Sequence, residues 1–212
     1  MEKAGGIAES LILERCLAPT SFLDSDHPAV QEYAHTHSGS GSALDRAVKL
    51  YYSVRDGWKY NPYKVSTDPI KSKASWVLTQ TNGYCTTKAL LLAALGRSIG
   101  IPTRLGFGDV RNHLSSPRLI EYLKSEIFAW HGFTEFYLEG HWVRCTPAFD
   151  SALCRKFGVA ALEFDGRTDS LFHPFDGEGR KFMEYIQYRG VYEDLPHEEM
   201  FRSLREIYPH LF

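Results

Sequence analysis

The sequence predicts an α+β fold, and three observations carry that prediction. Residues 89–95 are apolar on every side, which describes a helix enclosed by protein. Residues 133–145 alternate in character about a Glu139-Gly140 turn, the pattern of a β-hairpin. Between Ser42 and Gly57, apolar residues return at helical spacing.

Taken in order, roughly the first 20 residues are a lead-in without a strong pattern. From Ser21 the chain reads as an extended stretch, a helix, a polar Gly/Ser-rich loop over 35–42, and a second helix. Ser42 caps that second helix, and Asp45 in its first turn suits the helix dipole. Leu44, Ala47, Val48 and Tyr51 form its apolar face, and Gly57 stops it. The enclosed helix begins near Cys85 and ends at Gly100 and Pro102. A strand over 103–110 follows, despite Gly106 and Gly108. In the hairpin, Phe133, Glu135 and Tyr137 share one face and Thr134, Phe136 and Leu138 the other. Glu135 is expected to face solvent or to pair with a neighbour on the sheet. Beyond Asp150 the chain becomes loop-rich, with two short helices expected over 173–190 and 196–212. The expected organisation is a core over 1–150 and an extension over 151–212 packed on it.

A chain of 212 residues, 43 % hydrophobic, suffices for one core. A formal charge of −2 leaves no basic field for a phosphate backbone, so nucleic acid is not an expected partner. No stretch reaches the roughly 20 apolar residues that span a bilayer, and the N-terminus lacks the basic start and apolar run of a signal peptide. A cytoplasmic location is expected, with no membrane partner. Cys16, Cys85, Cys145 and Cys154 are scattered with no C-x-x-C pair, so free thiols are expected and no metal site. His35 and His37 read as solvated loop residues, and Asp165, Asp169, His173 and Asp176 as loop caps in the tail. No cofactor motif is present; Gly106-x-Gly108 alone does not signal a nucleotide.

Two residues suggest chemistry. Cys85 follows the turn-like Asn82-Gly83-Tyr84 and opens the enclosed helix, where free backbone N–H groups and the positive dipole end favour thiolate. The alternative is a buried cysteine that only packs. His131 lies where a strand begins, placed to face a helix-borne thiol and serve as its base.

The segment ending Asn82-Gly83-Tyr84-Cys85, with Arg97-Ser98-Ile99-Gly100-Ile101-Pro102-Thr103-Arg104 closing the helix, resembles the cysteine motif of the transglutaminase-like superfamily. His131-Gly132-Phe133-Thr134-Glu135, running on to Trp142, resembles its histidine motif, and Val54-Arg55-Asp56-Gly57-Trp58 the helix end that precedes both. The resemblance covers roughly residues 21–150. It implies a papain/transglutaminase-like core, with the Cys helix packed on an antiparallel sheet that bears the His. It also implies a third residue that orients the imidazole. Where the family shows Asp-Pro, this chain has Thr146-Pro147. Three readings stay open: Thr146 as orienter, Asp150 as a displaced acid, or a Cys–His dyad alone. The implied chemistry is thioester formation on Cys85 from a peptide, protein or small amide, with His131 as base and acid. The Cys85 N–H is the first oxyanion donor, and Gln80, Trp58 or Tyr60 the second. The competing expectation is a binding module that keeps the fold but has weakened or lost the chemistry, prompted by Thr146 in the acid position.

Overall fold

Ser42 begins a helix because its own side chain and that of Asp45 close a reciprocal cap. Asp45 N–H donates to Ser42 Oγ at 3.1 Å, and Ser42 N–H donates to Asp45 Oδ2 at 3.0 Å. The structure is a computed structural model that describes residues 2–113, 115–172 and 183–212. In chain order its elements are α1 (Glu2–Leu17), α2 (Pro28–Ser38), α3 (Ala43–Gly57), β1 (Lys59–Tyr60), α4 (Ala74–Leu78), β2 (Asn82–Gly83) and α5 (Cys85–Ser98). They continue with β3 (Thr103–Asn112), α6 (Pro117–Leu123), β4 (Ile127–Leu138), β5 (His141–Cys145), α7 (Ser151–Phe157), β6 (Met183–Tyr192) and α8 (His197–Ile207).

The fold is α+β, as expected. Four antiparallel strands in the order β5-β4-β3-β6 form the main sheet, and β1 and β2 make a short parallel pair. Helix α5 lies against the sheet: Thr134 Oγ1 of β4 donates to Ala89 O at 2.8 Å, and Leu90 to Leu95 are fully buried. Each such leucine contributes about 2 kcal/mol of burial, which makes α5 the centre of the core. Helices α2, α3 and α4 cover its other side, through Val30, Ala34, Leu50, Val54 and Val77. Among the described residues no helix is long and apolar enough to cross a membrane.

Several local expectations change. The polar stretch from His35 is helical to Ser38, and the chain turns only at Gly39 and Gly41, both at positive φ. Strand β3 keeps Gly106 and Gly108 because rings cross over them. A Cβ at Gly106 would lie 2.1 Å from the Phe133 ring, and one at Gly108 2.5 Å from Tyr185. Of the two placements expected for Glu135, the structure has the pairing and not the solvent: it is fully buried and bonded to its sheet neighbours Arg104 and Arg144, the latter at 2.9 Å. The helix expected over 173–190 is, where described, strand β6, whose Tyr185, Ile186, Tyr188, Val191 and Tyr192 suit a pleated surface. It adds a strand to the main sheet from beyond residue 150.

Candidate active site

Cys85 is the first residue of α5. The turn before it is fixed by Tyr84 N–H donating to Thr87 Oγ1 at 3.0 Å, and by the Thr87 hydroxyl donating to Tyr84 O at 3.1 Å. His131 lies within β4, opposite Gly108 of β3, rather than at the opening of a strand. It is buried, whereas Cys85 is half-buried.

The start of α5 and the middle of β4 touch on both sides of His131. Thr86 Oγ1 donates to Trp130 O at 3.1 Å. A Cβ on Gly132 would come within 2.9 Å of Thr86 Cα, so the helix reaches this strand only because residue 132 has no side chain. The contact brings the thiol and the imidazole together. Burial pushes the Cys85 thiol up, but the charge and hydrogen-bonding of His131, the Gly132 N–H and the Thr86 hydroxyl outweigh it, and its pKa falls below the ordinary 9.0. Cys145 behaves oppositely: burial pushes its thiol well up, with the Asp169 charge adding to the effect. Cys16 and Cys154 are also raised, chiefly by burial. Among four free thiols, only that of Cys85 is lowered.

Trp130, just before His131, has φ +58, a left-handed conformation that costs an ordinary residue about 1 kcal/mol. It is held there. The register of β3 against β4 slips between Gly108 and Val110, and Asp109 Oδ1 accepts the Trp130 N–H at 3.0 Å. Arg189 of β6 bridges both Asp109 oxygens, at 2.5 and 2.8 Å, and its guanidinium lies 4.9 Å from the centre of the Trp130 indole.

Of the two candidates for a third residue, Thr146 is buried near the imidazole, in the wall of a small cavity that His131 also lines. Among the described residues neither Thr146 Oγ1 nor His131 Nε2 has a hydrogen-bond partner. Asp150 is committed elsewhere. Its Oδ1 caps α7 by accepting Leu153 N–H at 2.9 Å, and its Oδ2 accepts Tyr60 N–H at 3.0 Å. For the second oxyanion donor, Trp58 Nε1 is spent on Val77 O at 3.1 Å, and Gln80, whose Nε2 gives one hydrogen to Thr79 Oγ1 at 2.8 Å, lines a cavity that Cys85 does not. Tyr60 lines cavities beside both Cys85 and His131.

Lys88, one turn past Cys85, had no part in the sequence reading, yet a cation at the head of the apolar run of α5, far from the Arg97 of its last turn, was a legible signal. It is fully buried, and its Nζ donates to Arg55 O, Trp58 O and Ala148 O at 2.8, 2.7 and 2.9 Å. Burial pulls its pKa down to about 7, against the opposing charges of Asp150 and Asp56. The clamp ties α5 to the chain before Tyr60 and to the loop after Thr146. The other residues set aside earlier are accounted for where described. His37 caps Tyr33 O at 2.9 Å on α2, His35 is exposed, Asp165 accepts the Arg167 and Thr168 N–H groups at 2.8 Å, and Asp169 accepts that of Arg144 at 2.8 Å. His173 and Asp176 lie outside the described residues.

Besides the small cavity at Thr146, two larger cavities among the described residues adjoin the pair. One, of about 260 Å³, has His131 in its wall, and the other, of about 90 Å³, has Cys85 and Thr86. Tyr60, Pro62 and Phe128 belong to both walls.

Among curated proteins none is significantly similar in sequence. Among solved structures, one described as a "putative cysteine protease" from Cytophaga hutchinsonii shares the fold, with a TM-score of 0.54 at 17 % identity. The match covers 89 % of this chain, which spans about half (49 %) of that one. The family model of the transglutaminase-like superfamily matches residues 31–147, more than half of the chain and the stretch that carries both the helix-borne cysteine and the strand-borne histidine. On that match the chain belongs to the transglutaminase-like superfamily.

Proposed function

We propose that the protein is a thiol acyl-transfer enzyme that cleaves an amide or ester through a thioester on Cys85. The observation that carries this reading is the lowered pKa of Cys85 beside His131, set against the raised thiols elsewhere. Cys85 Sγ attacks the carbonyl carbon, and His131 gives the leaving nitrogen or oxygen its proton as that bond breaks. Water then attacks the thioester, with His131 taking a proton, and releases the acid and the thiol. An amine in place of water would give transfer instead. The Cys85 N–H at the start of α5 supports the oxyanion, with Tyr60, which lines the same cavity, as the second donor. Substrates are peptides, proteins or small amides, met in the cytoplasm.

Behind the imidazole stands Thr146 rather than a carboxylate, with no direct hydrogen bond between the two side chains. Their shared cavity, of about 10 Å³, is close to the size that holds one water joining two polar groups. A second reading, a binding module with weakened chemistry, is favoured by this same lack of a carboxylate partner on His131 among the described residues. Incubation with activated esters followed by intact-mass measurement separates the two. An acyl adduct that is lost in Cys85→Ala supports the enzyme; no adduct with any ester, and alkylation of Cys85 at an ordinary rate, supports the module.

A further inference from the structure

The two cavities differ in which reacting group they touch, and the difference assigns parts of a substrate. The carbonyl carbon must bond to Cys85 Sγ, whereas the leaving atom must lie where His131 can hand it a proton. The larger cavity is walled by His131 but not by Cys85, and it extends away from the thiol between α6, α7 and the sheet. It is therefore on the leaving-group side of the scissile bond.

Its chemistry is distinctive. Leu119, Phe128, Phe149, Leu153, Phe157 and Met183 supply apolar walls, and apart from His131 at its inner end no described lining side chain is charged. A volume of about 260 Å³ exceeds the roughly 150 Å³ that accommodates a benzene ring. Ammonia or a bare methyl group would leave most of this space unfilled, and a charged group would lose its hydration without a partner. Phe157 stands 48 % exposed on the wall, a large apolar side chain whose exposure is relieved when a ligand covers it.

We propose that this cavity is the leaving-group subsite, and that the substrate is an amide or ester whose departing amine or alcohol carries an uncharged aromatic or branched aliphatic group. The proposal rests on the thioester reading. It gives the chain a specificity for the released half of the substrate, exercised in acylation and absent from the hydrolysis of the thioester, when that half has gone.

The test uses the whole chain and two sets of acetyl and succinyl aryl esters, with Cys85 thioester formation followed by rapid-quench mass measurement. In the first set the acetyl group is fixed and the leaving group is phenol or 4-sulfonatophenol; in the second, phenol is fixed and the acyl group is acetyl or the anionic succinyl. Each rate is normalised to the ester's own hydroxide hydrolysis. The neutral phenol should be preferred over its sulfonate by about ten-fold or more. Phe157→Lys should narrow or invert that preference and leave the acyl preference unchanged, while Phe157→Leu should keep both. Equal rates for the two phenols, or a Phe157→Lys effect confined to the acyl set, would overturn the subsite while leaving the thioester reading intact. No thioester from any ester would overturn both.

Discussion

The hydroxyl of Thr86, the residue after the candidate nucleophile, donates to the carbonyl of Trp130, the residue before the candidate base, at 3.1 Å. One hydrogen bond thus sets the separation of Cys85 and His131 through their immediate neighbours. Thr86→Val keeps the shape and removes the donor. It should cost about 1 kcal/mol of stability but lower kcat about ten-fold or more, with Thr86→Ser restoring most of it. Steady-state kinetics beside thermal melts check the disproportion; a kcat loss no larger than the stability loss explains would contradict it.

Gly132 permits the same contact from the other side of His131. Gly132→Ala places a methyl 2.9 Å from Thr86 Cα, so α5 or β4 must shift. The thiol then loses part of what lowers it, and the midpoint of Cys85 alkylation should move to higher pH than in the wild type. An unchanged midpoint would show that the close approach does not govern the thiol.

Arg189 holds Asp109, and Asp109 holds the left-handed Trp130. Arg189→Lys cannot reproduce the two-point grip on the carboxylate. It should therefore behave nearly as badly as Arg189→Gln, with kcat falling about ten-fold and KM changing little. A lysine variant with full activity would reduce Arg189 to a surface charge.

Lys88 gives a pH signature in stability. Its folded pKa lies near 7, well below that of an unfolded lysine. Between those values the unfolded chain binds the extra proton, so stability contributed by this group rises with pH from about 7 towards 10. Lys88→Met removes that slope and leaves three buried carbonyls unpaired, which costs about 3 kcal/mol. Denaturant melts of both proteins across this range report the difference in slope; parallel curves would contradict it.

What the sequence revealed and what it hid follow from range. Helix α5 was legible because enclosure leaves an apolar run, and Ser42 and Asp45 because a cap is built from residues three apart. The β4–β5 hairpin was legible from alternation and from Glu139-Gly140, both at positive φ. Glu135 read as solvent-facing or paired because its two arginines come from β3 and β5 and become its neighbours only when the sheet forms. Strand β6 was hidden because Met183–Tyr192 has little alternation, and it pairs with β3 across some eighty residues. At the site, Cys85 and His131 each carried a local signal. Asp109, Trp130 and Arg189 carried none, since a backbone conformation and a tertiary ion pair leave no periodic trace.

The central claim is that His131 holds the Cys85 thiol below its ordinary pKa. Its most direct measurement is the rate of iodoacetamide alkylation at Cys85 as a function of pH, site-resolved by peptide mass, in wild type and in His131→Ala. The account predicts a wild-type midpoint clearly below that of an ordinary thiol, and a rise in the variant to or above the ordinary value, because burial is then opposed only by Gly132 and Thr86. Superimposable profiles, with both midpoints at the ordinary value, would contradict it.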